Sequence, residues 1–113
     1  MEVSSTRTNG IAIIFIKGSI TSKDRKCFQN HIDSALNDDP IHLNLNLQGV
    51  PIVDSGIIGL MMVTRNRCKQ RHIGFSVSCL HPQLQDDFDL LNLGTLIPIY
   101  ATDQDVMASA ENR

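Results

Sequence analysis

The sequence predicts an α/β fold: a mixed, mostly parallel β-sheet with an amino-terminal edge hairpin and about four helices packed on it. Three observations carry this expectation. Asn9-Gly10, the dipeptide best suited to a two-residue hairpin turn, separates two strand-like stretches, Val3 to Thr8 and Ile11 to Lys17. Downstream, short apolar or alternating stretches take turns with longer helical patterns, in the order β-β-α-β-α-β-α-β-α. Strands separated in this way by helices are joined in parallel through crossovers. Finally, 113 residues, 42% hydrophobic and 19% charged, suit one closed core and are too few for two, so a single domain over 1–113 is expected.

Each element has its own signal. The apolar run Ile11 to Ile16 reads as a buried strand stopped by Gly18, and the short, polar strand before it belongs at an edge. Ser22 is the expected N-cap of the first helix. Phe28, Ile32, Ala35 and Leu36 form its apolar stripe, and Asp38-Asp39-Pro40 ends it. Ile41, Leu43, Leu45 and Leu47 then alternate with His42, Asn44 and Asn46, as a strand with two unlike faces requires. Val50 to Val53 leads into Asp54-Ser55-Gly56. Beyond it, Ile57, Ile58 and Leu60 to Val63 are too continuously apolar for a surface helix. That helix is expected to start deep in the protein and run outward through Thr64 to Arg71, with Cys68 continuing its buried stripe.

Gly74 is expected to end the second helix, and Phe75, Val77 and Cys79 alternate with Ser76 and Ser78 as the next strand. His81-Pro82 opens a third helix with Leu84, Phe88 and Leu91 on one face, closed by Asn92-Leu93-Gly94. Leu96 to Tyr100 reads as a short last strand, demoted to an edge by Pro98, and Asp103 to Ala110 as a terminal helix.

Composition narrows the function classes. A net charge of −2 offers no basic field for nucleic acid, whose binding depends on neutralising phosphates. Cys27, Cys68 and Cys79 are odd in number and contain no Cys-x-x-Cys pair, so they read as reduced, buried thiols and not as a disulfide framework or metal site. The longest apolar run is Ile11 to Ile16, far short of the roughly 20 residues a membrane helix needs. Residues 1–10 carry no secretory signal pattern, so a cytoplasmic protein without membrane insertion is expected.

His31, His42, His72 and His81 show no i, i+4 helical pair and are assigned to surface or cap positions; no metal or cofactor is expected. Arg65, Arg67, Lys69 and Arg71 with His72 read as a solvated helix end, and Met61 and Met62 as core filling. No Gly-rich phosphate loop, paired acid/base carboxylates or Ser-His-Asp order stands out, so no catalytic residue is assigned and the protein is not expected to be an enzyme.

One segment departs from what a plain core would choose. Ile52-Val53-Asp54-Ser55-Gly56-Ile57-Ile58-Gly59-Leu60 passes from a strand end through an acidic-hydroxyl pair into a buried helix, with Ser55 as its expected N-cap. A helix N-terminus presents unpaired amides and about half a positive charge, so an oxyanion is readily accommodated there. Gly56 leaves those amides open to approach. Asp54 orients the serine, contacts a partner, or is satisfied by local amides; the sequence leaves these open.

At this segment the chain resembles the STAS-domain family of anti-sigma-factor antagonists, in which a strand leads into Asp-Ser, usually Asp-Ser-Ser-Gly-Leu or Asp-Ser-Ala-Gly-Leu, at the start of the second helix. The resemblance extends to the strand closing on Gly18, the Ile41 to Leu47 strand with Gly49-Val50 after it, Gly74, His81-Pro82 and Leu93-Gly94. Two departures stand out. The family glycine two places after the serine is Ile57 here, and the acidic residue common after the first-strand glycine is missing from Gly18-Ser19-Ile20-Thr21.

The resemblance implies a STAS-like single domain acting as an anti-sigma-factor antagonist. Its partners would be an anti-sigma factor that doubles as a serine kinase and a metal-dependent serine phosphatase. The unphosphorylated form would bind the kinase, and phosphorylation of Ser55 would release it. Asp54, Ser55, Gly56 and Ile57, with Gly18, Ser19 and Thr21, would form the partner surface. The same turn would also suit a STAS-like subunit of a membrane lipid-transport ABC complex that docks its ATPase, or a structural or small-ligand-sensing STAS domain.

Overall fold

A computed structural model describes residues 1–111. Strand β1 (Glu2–Thr8) pairs antiparallel with β2 (Ile11–Lys17). Asn9 and Gly10 turn between them at φ 54° and 80°, the pair of positive angles that matches the twist of a two-residue hairpin. A 3-10 turn (Ser22–Asp24) and helix α1 (Arg25–Asn37) cross over to β3 (His42–Gly49), and α2 (Ser55–Gln70) crosses to β4 (Gly74–Ser78). Helix α3 (Pro82–Leu90) and a second 3-10 turn (Leu93–Thr95) lead to β5 (Ile99–Tyr100), and α4 (Asp103–Glu111) follows. The sheet order is β1-β2-β3-β4-β5, with every pair after the first parallel. Both edges are as expected, although β5 keeps just two of the five residues the pattern offered.

Alternation along β2 assigns the two faces. Ala12, Ile14 and Ile16 join Leu43, Leu45, Leu47, Phe75 and Val77 in the main core, which Phe28, Ile32 and Leu36 of α1, Ile57, Leu60, Met61 and Cys68 of α2, and Leu84 and Phe88 of α3 complete. Each fully buried aliphatic or aromatic side chain here contributes about 1.5–3 kcal/mol. Truncating Phe28, which seats α1, would cost about 3–5 kcal/mol. Ile11 and Ile13 face the other way and pack with Val106 and Ala110 of α4.

That second layer also settles the polar side of β3. Its polar residues do not face water: His42, Asn44 and Asn46 are buried because α4 covers their side of the sheet. A run of side-chain hydrogen bonds links them. Ser76 Oγ donates to Asn44 Oδ1 at 2.7 Å and lies 2.7 Å from His42 Nε2, so its oxygen accepts the imidazole proton. Asn44 Nδ2 donates to Ser78 Oγ at 2.9 Å, and Ser78 Oγ donates to Asp103 Oδ1 at 2.6 Å. Asn46 Nδ2 reaches Asp103 Oδ2 at 2.9 Å. Every donor in the chain points toward the carboxylate at the start of α4, which joins the helix to β3 and β4 without leaving a buried amide idle. His42 is therefore a core residue and not the surface or cap residue expected. His81 does cap α3, its Nδ1 accepting from the Gln83 amide at 3.2 Å.

Other differences have local causes. Ser22 opens the 3-10 turn instead of capping α1; the Thr21 amide bonds Asp24 Oδ2 at 3.0 Å, and α1 starts at Arg25. Leu91 lies just past the end of α3, beyond the reach of the core, and is exposed. Helix α2 ends at Gln70, with His72 turning at φ 59°, so Gly74 opens β4 and does not terminate the helix. Cys68 is buried as expected, but Cys27 lies on the exposed side of α1 and Cys79 is half-buried. Val63, expected inside, is exposed on the outer side of α2, and Ile58 and Met62 are half-buried. The basic end of α2 is tied down: Arg67 pairs with Asp33 at 2.7 Å, and Arg71 bonds the Leu36 carbonyl at 2.9 Å and Asp39.

Candidate functional site

The site lies at the carboxyl ends of the parallel strands, where open α/β sheets place their functional loops. The loop after β2 and the loop after β3 run side by side there. The Gly18 amide bonds the Gly49 carbonyl at 2.8 Å, Ile20 N bonds Ile52 O at 3.0 Å, and Asp54 N bonds Ile20 O at 3.2 Å. Ile20 and Val53 form a parallel bridge. This stitching brings the segment containing Gly18, Ser19 and Thr21 next to Asp54. Gly18 turns at φ 91°, a conformation that a side chain resists.

Asp54, and not Ser55, caps α2. Its backbone is extended and its Oδ1 accepts from the Ile57 amide at 3.0 Å, the bond an N-cap makes to the third helical residue. Oδ2 accepts from the Ser22 amide at 2.7 Å and from the Ser22 hydroxyl at 2.9 Å. Those donors, the Ile57 amide first and the Ser22 hydroxyl next, hold the Asp54 carboxyl below the usual carboxylate range. The carboxylate is thus ionised and committed to the frame.

With the cap occupied by Asp54, Ser55 becomes the first residue of the helix. It is exposed, and its hydroxyl enters none of the hydrogen bonds among the described residues. Gly56 is also exposed; a Cβ there would meet Ser22 Oγ at 3.5 Å and Asp54 Oδ1 at 3.6 Å, ordinary contacts, so glycine is not required by the fold and keeps the approach to the helix start open. One helical turn further, Gly59 has no atom within 4 Å of its would-be Cβ, and Val63 follows it, so Ser55, Gly59 and Val63 line one outer stripe of α2.

Ile57 does not belong to this surface. Its side chain is fully buried in the main core and its amide is already taken by Asp54. Two residues along a helix from an outward position points inward. Ser19 is exposed, Thr21 is half-buried and bound to Asp24. Ser22 is the residue that sequence reasoning missed: its tie to Asp54 spans 32 positions, and no local pattern announces it. Among the described residues, no group of three His, Cys, Asp or Glu side chains could hold a metal, and no helix is long and apolar enough to cross a membrane.

The sequence profile of the STAS domain matches residues 2–106, nearly the whole chain. This protein belongs to the STAS-domain family. No curated protein matches it by sequence. Among solved structures, an anti-sigma factor antagonist from Mycobacterium paratuberculosis superposes with a TM-score of 0.87 at 19% identity, covering 97% of this chain and 93% of that one. SpoIIAA, the Bacillus cell-fate determinant, superposes in its unphosphorylated form at 0.82, with 14% identity and 99% and 98% coverage. Its phosphorylated form gives 0.73, with 14% identity and 96% and 98% coverage. A sulfate transporter family protein from Wolinella succinogenes gives 0.79, with 15% identity and 94% and 88% coverage. At these identities the likeness speaks for the STAS fold: five strands, an antiparallel first hairpin and four helices.

Proposed function

We propose that this STAS domain is an anti-sigma-factor antagonist operated as a phosphorylation-controlled partner switch. The unphosphorylated form binds an anti-sigma factor that is also a serine kinase; phosphate on Ser55 releases it, and a metal-dependent phosphatase resets it. The observation that carries the reading is Ser55 standing exposed as the first residue of α2, its hydroxyl uncommitted, beside a carboxylate whose two oxygens are both in use.

The physics of that position favours a switch on binding over one on folding. A phosphoserine adds about −1.5 to −2 charges at pH 7, and a helix start tolerates negative charge because its first amides lack helical acceptors. The core side chains of α2 lie on the opposite side from Ser55, so the fold survives modification. A protein docked on the Ser55, Gly59 and Val63 stripe, by contrast, would face new uncompensated charge next to ionised Asp54. Asp54, Ser55 and Gly56, with Gly18 and Ser19, form the contact surface in this reading; Thr21 shapes the adjoining loop.

Pull-down from the native bacterium with wild-type, Ser55→Ala and Ser55→Asp protein tests it. The Ala form retains the kinase and resists release by ATP, and the Asp form loses it. Stoichiometric phosphorylation of Ser55→Ala by the same kinase would show that the site is elsewhere. The alternative reading is a STAS-like subunit of a membrane lipid-transport ABC complex that docks its ATPase; the sulfate transporter family protein adds only that the same fold occurs in a transport family. That reading requires stable co-purification with an ATPase whatever the phosphorylation state.

A further inference from the structure

We propose that the outer face of α3 and the 3-10 turn after it form a second docking surface, which receives a basic amphipathic helix of a partner protein. Leu90, Leu91 and Leu96 are 85%, 54% and 43% exposed, three large apolar side chains within seven residues. None is needed for packing, since Leu84 and Phe88 already seat α3 on the core.

The α3 side of these leucines is acidic, while the Arg65 guanidinium stands at the Leu96 side. Helical geometry places Leu90 one turn beyond Asp86 and Asp87, and Leu91 one turn beyond Asp87. Because helical side chains lean toward the N-terminus, the two leucines lie back over those aspartates. With Asp89, the stretch from Pro82 to Leu96 holds three aspartates and no lysine, arginine or histidine, in a chain whose total charge is −2. The patch is also held in shape: Arg65 Nε donates to the Leu96 carbonyl at 2.7 Å, and Gln85 Nε2 to Asp89 Oδ1 at 2.9 Å.

An apolar centre with an acidic rim selects its occupant by charge. Phosphate-rich ligands are repelled, which disfavours nucleic acid and the anionic surface of a membrane. A helix with leucine-like residues at i, i+3 and i+4 and Lys or Arg on its flanks satisfies both the apolar centre and the rim. A second copy of this chain is the competing occupant, and the oligomeric state decides between the two.

The surface is separate from the switch. Arg65, which anchors Leu96, lies ten residues along α2 from Ser55, about 15 Å along the helix axis. Occupancy at α3 therefore stands whether or not Ser55 is ever phosphorylated.

The test uses the full chain, labelled with 15N, and a synthetic 14-residue Leu/Lys peptide patterned as an amphipathic helix. Chemical-shift changes should saturate and concentrate in residues 83–96. Affinity should fall at least fivefold in D86K/D87K and in Leu90→Ser, whose exposed positions preserve the fold, and should be unchanged in Ser55→Ala and Ser55→Asp. The matching Leu/Glu peptide should not bind. Shifts scattered over the molecule, equal binding of the Leu/Glu peptide, or full affinity in both α3 variants would overturn the proposal. So would concentration-dependent dimerisation abolished by Leu90→Ser, which would assign the face to a second copy of the chain.

Discussion

Ser22 and Asp54 meet across 32 positions of sequence, the amide and hydroxyl of Ser22 both directed at Asp54 Oδ2, at 2.7 and 2.9 Å. The loop after β2 is thereby fastened to the start of α2, so Ser55 sits on a platform built from two loops. Removing the carboxylate in Asp54→Ala loses both the helix cap and this tie, while Ser22→Ala loses only the hydroxyl bond. Asp54→Ala should therefore lower the denaturation midpoint more than Ser22→Ala, and the double variant should fall short of the sum, because the two changes remove one shared interaction. Urea unfolding of the four proteins checks this; strict additivity would argue against the tie.

The same carboxylate sets an acid limb. Its pKa is depressed in the folded protein, chiefly by the Ile57 amide and then the Ser22 hydroxyl, relative to an unfolded value of about 3.9. A depressed folded pKa means the contribution is complete above the unfolded value and is lost as pH falls through the folded one. The stability advantage of wild type over Asp54→Asn should be level from about pH 5 to 8 and shrink below about pH 4. Denaturant titrations of both proteins across that range measure it. An advantage that grew on acidification would contradict the sign.

The hydrogen-bond run across β3 and β4 makes a prediction about α4. Ser78 is fully buried between Asn44 Nδ2 and Asp103 Oδ1. Ser78→Ala leaves a buried donor without its acceptor and should cost about 1–3 kcal/mol. Amide exchange should accelerate in residues 103–110 before it does in α1, because Asp103 loses part of its hold on the sheet. A loss under about 0.5 kcal/mol would show that the run carries no net stability.

Thiol reactivity separates the cysteines. Cys27 is exposed, whereas Cys68 is buried and burial pushes its thiol pKa up. A native-state thiol assay should show one fast group that disappears in Cys27→Ser, and Cys68 should react only on unfolding. A fast phase that survives Cys27→Ser would place the reactive thiol elsewhere.

What was legible in the sequence is what neighbouring residues decide among themselves. Asn9-Gly10 announced its own turn, Ile11 to Lys17 its strand, and Phe28, Ile32 and Leu36 their helix face. The contact that brings Asp103 to Asn46 spans 57 positions, and without it the alternation in β3 reads as one wet face and one dry face. The exchange of roles between Asp54 and Ser55 has the same origin. Either residue can cap a helix, and the two donors arriving from Ser22 are held more strongly by a carboxylate than by a neutral hydroxyl. Leu91 carried the right spacing for burial, but α3 stops one residue short of it.

The central claim concerns charge on one hydroxyl, and calorimetric titration of the cognate kinase-type anti-sigma factor into this chain tests it most directly. Protein stoichiometrically phosphorylated at Ser55, verified by intact mass and by an unchanged thermal midpoint, should bind at least tenfold more weakly than the unmodified form. Equal affinity for the two forms, each still folded, would contradict the account.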